Sequence, residues 1–344
     1  NADIIYKLNM DFLTKGLDFR VKASYNSSYG QTKNRTCGKP ASFRPYLTEN
    51  GEVVYQRSGD YWNPGYSESA WSNRDWYAEA SFNYNRTFGY HNVGALLLYN
   101  QSKTYYPGSY TSIPYGYVGL VARATYDYKH RYMIDANMGY NGSENFAEGK
   151  RFGFFPSVSV GWGISEEKFW EPIKSVISYL KIRASVGLLG NDAVSPYAFL
   201  STYNLMDGNK NAYQTILNGK VMQALRASVI ANPTLTWENT LTYNAGFDFT
   251  MRNGLLGMEF DAFYNYTYDI LTAMGGDYPP SMGGYYYTYA NYNKVDSKGV
   301  EVTVSHRNKL NLAGKPFSYG ASFNLTFARN RYLRYPDSPN TVEW

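Results

Sequence analysis

A chain of 344 residues with 44% hydrophobic residues can bury a large core, yet its mean hydropathy is −0.49. No apolar run approaches the roughly 18 residues of a membrane-spanning helix, so helical membrane proteins are excluded. The formal charge of +5 is scattered rather than striped, which excludes nucleic acid as a partner, and the single cysteine, Cys37, excludes an intrachain disulfide.

Period-two alternation and turn residues predict about twelve strands. The first, over 2–12, sets Ile4, Tyr6, Leu8, Met10 and Phe12 on one face. A tight turn at 13–16 leads to the second, where Leu17, Phe19, Val21, Ala23 and Tyr25 oppose Asp18, Arg20, Lys22 and Ser24. A long polar stretch over 26–73 reads as a loop holding Cys37, to which no role is assigned. The third strand, 74–86, sets Trp76, Ala78, Ala80, Phe82 and Tyr84 against Glu79, Ser81 and Asn83. The fourth covers 93–100 and is followed by an aromatic loop, 103–116, before the fifth at 117–128.

Residues 131–170 read as the central hairpin. Tyr132, Ile134, Ala136, Met138 and Tyr140 alternate with Met133, Asp135, Asn137, Gly139 and Asn141, then Val158, Val160 and Trp162 with Ser157, Ser159 and Gly161. Opposite faces of a strand carry alternate side chains, so one face meets an apolar medium and the other a wet one. Apolar bands of about ten residues with aromatic ends match tilted strands crossing a hydrocarbon layer. A short helix is expected within 166–178.

The eighth strand, 179–189, has the cleanest alternation: Leu180, Ile182, Ala184 and Val186 against Lys181, Arg183, Ser185 and Gly187. A charge introduced at Ile182 is therefore expected to be costly, and loss of the charge at Arg183 mild. About fifty residues, 190–239, follow as a loop with a short helix near 220–228. The ninth strand, 240–251, turns at Arg252-Asn253-Gly254, and Asn-Gly is a strong hairpin dipeptide. The tenth carries Leu256, Met258, Phe260, Ala262 and Tyr264. A Gly- and Tyr-rich loop is expected over 269–298, then strands at 299–305 and 317–328, with 329–344 a polar tail.

The predicted connections alternate between short and long. A soluble sandwich has no reason to sort its loops in this way, whereas outer-membrane barrels have short periplasmic turns and long external loops. Since only helices and closed barrels satisfy their backbone groups in lipid, the fold class is all-β, a transmembrane antiparallel up-and-down β-barrel. The chain would start downward, toward the periplasm.

The segments YNGSENF, RFGFFPSVSVGW and SEEKFW, within 140–170, resemble the SusC/RagA family of TonB-dependent outer-membrane transporters. So do YLKIRASVGLLGND (179–192), NPTLTWENTLTYNAGFDF (232–249) with Leu235, Trp237 and Glu238, GLLGMEFDAFYNYTYDIL (254–271) and NKVDSKGVEVTVS (293–305). The resemblance spans roughly 117–327. It implies a barrel of about 22 strands around a plug. Residues 1–344 then read as part of one barrel domain, with N-terminal module, TonB box, plug and final strands absent from this stretch. The missing leader and initiator Met fit a processed chain or a fragment. The resemblance also implies location in a Bacteroidetes-like Gram-negative outer membrane, contact with the lipid bilayer, and import of oligosaccharides or peptides. A SusD-like surface lipoprotein and the TonB complex are the implied protein partners. A passive porin and a secreted soluble carbohydrate-binding protein are the alternative readings.

No catalytic, metal or cofactor site is expected. His91, His130 and His306 fall at turns or strand ends on the periplasmic side, away from an external substrate. Asp135, Glu259, Asp261 and Glu301 alternate onto the lumen face, where Arg123, Lys181 and Arg183 can pair with them. The candidate substrate-binding residues are tyrosines of two external loops: Tyr105, Tyr106, Tyr110 and Tyr115, and Tyr285, Tyr286, Tyr287 and Tyr289. Flat aromatic faces stack on sugar rings or peptide groups, and phenols add adaptable hydrogen bonds. The same residues equally suit loop packing or an interfacial girdle.

Overall fold

A computed structural model describes the chain except residues 60, 106–112, 195–196, 206–213, 218–219, 224, 230, 276–286, 313 and 337–344. Twelve long strands among the described residues pair in sequence order as one antiparallel sheet. They are β1 (Ala2–Asn9), β2 (Leu17–Thr36), β5 (Gly65–Phe88), β6 (His91–Tyr105), β7 (Tyr115–Tyr128), β8 (Tyr132–Ser143), β9 (Phe152–Gly163), β10 (Ile177–Asn191), β15 (Glu238–Met251), β16 (Leu256–Gly275), β17 (Tyr287–Leu312) and β18 (Lys315–Arg334). Short strands fill the long connections: the hairpin β3 (Phe43–Leu47) and β4 (Val53–Arg57), then β11 (Thr202–Leu205), β12 (Gln214–Leu217), β13 (Lys220–Gln223) and β14 (Leu225–Val229). Among the described residues β1 and β18 pair on one side only, and each is exposed along its whole length.

The register carries the alternation from strand to strand. The residues Tyr126, Ile134, Val160, Ala184, Ala245, Ala262, Val300 and Phe327 are consecutive cross-strand partners. The next row of the same face runs Tyr128, Tyr132, Trp162, Ile182, Phe247, Phe260, Val302 and Leu325. Between these rows lie Asp127, Met133, Gly161, Arg183, Gly246, Asp261, Glu301 and Thr326, on the opposite face. One face is thus an apolar belt and the other a polar wall, because each strand keeps period two along these rows; the register shifts lie outside them, at Ile177/Tyr179, Thr267/Ile270, Ile270/Leu271 and Lys294/Val295. Ile182, between Trp162 and Phe247 in the belt, is 46% exposed.

Several expected boundaries move. The helix expected within 166–178 is two 3₁₀ turns, Ile164–Glu166 and Lys168–Ile173; Pro172 removes a backbone donor and denies an α-helix its hydrogen bonds. The helix expected near 220–228 is strand, β13 and β14, in a segment whose Val221 and Val229 favour extended backbone. The loop expected over 269–298 is largely strand, since β16 runs to Gly275 and β17 starts at Tyr287; tyrosine and threonine there extend the ladder. The loop expected over 26–73 contains the outer parts of β2 and β5, and the tail expected from 329 continues β18 to Arg334. In these extensions neither face has to meet lipid, so the alternation that marks a membrane strand fades while the hydrogen-bond ladder persists.

The chain divides into two compact units, one of residues 4–23, 77–102 and 115–344, the other of residues 1–3, 24–76 and 103–114. In the first unit the short turns are tightly made. Asp11 accepts hydrogen bonds from the Gly16 N–H (2.6 Å) and from Asn9 Nδ2 (3.1 Å). The Gly16 amide, then Asn9, hold its carboxyl below the ordinary carboxylate range. A depressed folded pKa means the contact is present above the unfolded value and is lost only as pH falls through the lowered one. Protection of the Gly16 amide, its exchange rate relative to the intrinsic rate at the same pH, is therefore expected to persist into mildly acidic buffer and to fall below the usual Asp range. In Asp11→Asn this acid step should vanish; an unchanged acid step would refute the assignment.

Candidate functional site

The polar wall of the first unit is built from ion pairs that the strand register forces together. Arg183 on β10 points between β15 and β16, where Nη1 and Nη2 each donate to the Asp261 carboxylate at 2.6 Å and Nε donates to Asp248 Oδ1 at 3.2 Å. Arg123 Nη2 on β7 donates to Asp135 Oδ2 on β8 at 2.5 Å, and Asn137 Nδ2 donates to Asp135 Oδ1 at 2.8 Å. Two of the expected lumen pairs therefore form. Asp248, which sequence reading did not single out, completes the Arg183 site; it lies an even number of residues from Gly246 and Asn244 on the same face, so alternation alone could have found it. Two carboxylates depend on Arg183, so its loss carries a cost that its lumen position alone does not convey. Between these pairs the wall forms a recess of about 640 Å³ lined by Asn85, Asn92, Thr125, Asp135, Lys181 and Arg183, among others. Its mixture of signs and amides suits a hydrated, near-neutral surface rather than a strong anion.

At the long-loop end the same unit carries a small dry core. Phe146, Ala198, Leu235 and Trp237 are buried together, with Tyr117, Phe155, Val194, Phe199, Leu271 and Tyr289 packed around them. The Trp237 ring lies 5.4 Å from that of Phe146 and 5.2 Å from that of Phe155, and its Nε1 donates to the Arg151 carbonyl at 3.1 Å. Asparagine side chains close the backbone: Asn145 Nδ2 to the Asp192 carbonyl (3.0 Å), Asn232 Nδ2 to the Tyr289 carbonyl (2.6 Å), and Asn291 Nδ2 to the Thr236 and Asp269 carbonyls (2.7 and 2.8 Å). Burial, with the Glu144 carboxylate nearby, pushes the Tyr197 phenol up. Residues 144–151, 192–194, 197–201 and 231–237 are thereby one packed layer.

The candidate tyrosines divide. Tyr115 is part of this layer, its hydroxyl donating to Asp192 Oδ2 at 2.5 Å, and Tyr289 packs against the dry core. Tyr105 ends β6 and shares the strand parity of Leu97 and Tyr99, with Lys103 Nζ 5.8 Å from its ring centre. Tyr106, Tyr110, Tyr285 and Tyr286 lie outside the described residues, as does the side chain of Tyr287. The histidines sit at the short-turn end: His91 Nδ1 with the Tyr126 hydroxyl (2.8 Å), His130 with Asp127, and His306 Nε2 with the Tyr319 hydroxyl (3.1 Å). Among the described residues no three His, Cys, Asp or Glu side chains gather as metal ligands, and no helix is long and apolar enough to cross a membrane.

A sheet with an apolar belt outside, an ion-paired wall inside, and short turns opposite long packed loops defines an outer-membrane β-barrel wall. Residues 1–342 match the family described as TonB dependent receptor-like, beta-barrel, and the chain belongs to that family, whose members are outer-membrane transporters. It is similar to the TonB-dependent receptor SusC of Bacteroides thetaiotaomicron, at 26% identity over 97% of this chain and 33% of that protein. It is also similar to the TonB-dependent receptor P39 of Formosa agariphila, at 30% identity over 63% of this chain and 19% of the relative. Among solved structures the RagAB peptide transporter shares the fold, with a TM-score of 0.74 and 18% identity over 95% of this chain and 36% of that one. The chain spans about a third or less of the curated relatives it matches. The resemblance to SusC is thus one of sequence, and that to the RagAB transporter one of fold.

Proposed function

We propose that this chain is part of the barrel of a TonB-dependent nutrient importer that takes up oligosaccharides or peptides. The observation that carries the reading is the unbroken apolar belt backed by a polar, ion-paired wall, which only a water-filled or plugged lumen in a membrane accommodates. Residues 1–344 then form one stretch of a single barrel domain, and the free edges of β1 and β18 pair with further strands of the whole protein. Substrate is captured at the external mouth beneath a SusD-like lipoprotein, and TonB opens a plug from the periplasm. The chain itself makes and breaks no covalent bond. Uptake of labelled oligosaccharides or peptides by cells carrying the full-length protein tests this. Uptake should stop on deletion of TonB or collapse of the proton-motive force; uptake that persists would make the barrel a passive porin.

The loop tyrosines are proposed as the capture surface: Tyr105, Tyr106 and Tyr110 from one loop, Tyr285, Tyr286 and Tyr287 from the other, with Tyr115 and Tyr289 at their bases. The sequence of the first loop supports this: proline, at 107 and 114, fixes its own φ and so lowers the entropy lost when ligand binds, and glycine, at 108, permits a tight turn. Tyr105→Ala, Tyr106→Ala and Tyr110→Ala together should weaken ligand binding by about 1–3 kcal/mol, on the scale of aromatic contacts. Barrel abundance should not change. Unchanged affinity would make the loop a wall, and lost abundance would make the tyrosines packing residues.

A further inference from the structure

In the second compact unit the outer parts of β2 and β5 form a two-stranded ribbon. Thr36 Oγ1 hydrogen bonds with the Gly65 backbone, and Trp71 lies against Gly30. The six-residue step is equal along both strands, so Ser28 faces Asn73, Thr32 faces Ser69 and Asn34 faces Ser67 on the face that carries Trp71. That face is otherwise built of small hydroxyl and amide side chains. On the other face Gln31 bonds Glu68, Tyr66 bonds Glu68 at 2.5 Å, and Arg35 stacks on Tyr66, so the charged groups are held away from Trp71.

Trp71 is 59% exposed. Its indole rests on bare backbone: a Cβ at Gly30 would stand 2.4 Å from Cε2 and Nε1 and 2.7 Å from Cζ2. Glycine here gives the ring a seat that no other residue leaves open. A large aromatic surface supported from below, open above, and bordered along the strands by Ser, Thr and Asn is the chemistry of a neutral sugar ring. The apolar C–H face of a pyranose covers the indole, and its rim of hydroxyls meets short donors and acceptors about 7 Å away along each strand. A peptide backbone would instead pair with the strand edges of the ribbon, whereas the ring and its polar border lie on the ribbon's face.

We infer that Trp71, seated on Gly30, is a sugar-stacking platform, and that the imported substrate is a neutral oligosaccharide. The inference rests on the importer reading above and names its substrate class. The test uses the full-length protein in detergent with a defined array of neutral gluco-, manno- and galacto-oligosaccharides, and a tryptic casein digest as the peptide arm. At least one oligosaccharide should bind the wild type. Trp71→Ala should weaken it about tenfold or more, and Trp71→Tyr by a few-fold only, as a loss of stacking requires. Gly30→Ala should weaken it as well by displacing the ring, with folded-barrel mobility on gels normal in all three. Binding of the wild type to no oligosaccharide overturns the platform. So does equal affinity in Trp71→Ala and Gly30→Ala, or selective loss of peptide binding. TonB-dependent uptake of peptides alone would overturn this inference and leave the importer reading intact; TonB-independent uptake would overturn the importer reading itself.

Discussion

Trp237→Ala is expected to release the packed layer of external loops at a cost of about 3–5 kcal/mol, the range for emptying a buried Trp site. Trp237 is 4% exposed and Leu235 beside it is 0% exposed, so the space left behind has no route to refill except by collapse of the layer. The indole also closes the Arg151 carbonyl, and Arg151 Nε in turn donates to the Phe146 carbonyl at 3.2 Å. Trp237→Phe keeps most of the ring but orphans that carbonyl, a smaller loss of about 1–3 kcal/mol. Limited proteolysis of intact cells reads the difference, because the layer faces outward while the belt stays in lipid. Trp237→Ala should expose new cleavage sites in 144–151 and 231–237 with unchanged barrel abundance. An unchanged protease pattern would mean that the loops are held by something other than this core.

The second large effect is on membrane assembly. Ile182→Arg places a guanidinium in the belt between Trp162 and Phe247, where a charge near the membrane midplane costs about 2–4 kcal/mol. Arg183→Met acts from the other face by leaving Asp261 without its bidentate partner and Asp248 with only Lys181 opposite it in the register. A fully buried pair broken in this way loses about 3–5 kcal/mol, and the partial exposure of Arg183 puts its loss below that. The double variant Arg183→Met, Asp261→Asn should recover part of the deficit, since one stranded carboxylate is then neutral. Urea unfolding of the full-length protein in lipid vesicles distinguishes the cases. No difference between Ile182→Arg and Ile182→Leu would contradict the face assignment, and additive loss in the double variant would contradict the pairing.

The membrane-crossing parts of the strands were legible because one face had to be apolar and the other could not be. Leu180 to Val186 on β10 shows this directly, and its partners on β9 and β15 repeat it in register. Outside the belt that constraint lapses. Residues 26–36 and 65–73 are strand with water on both faces, so their composition reads as loop although the ladder continues. The charged wall was half legible: alternation assigns Arg123, Asp135, Arg183 and Asp261 to one face, but which acid meets which base depends on register, and Asp248 entered only through it. The dry core joins residues 146, 198, 235 and 237 across long connections, and no local pattern links them. Only the resemblance had marked Leu235 and Trp237.

The unequal ends of the strands have a consequence for how such a protein diversifies. The short turns, such as Lys129-His130 with both residues at positive φ, tie neighbouring strands residue to residue, so a single insertion there would turn every belt side chain inward. At the other end the penalty for a longer connection grows only with the logarithm of its length, about 0.6 kcal/mol per doubling. The 46 residues between β10 and β15 are an instance already in place. Lineages can therefore exchange and lengthen the long connections while the lipid-facing frame is inherited unaltered, and gene duplications of this scaffold should differ in length almost wholly at that end.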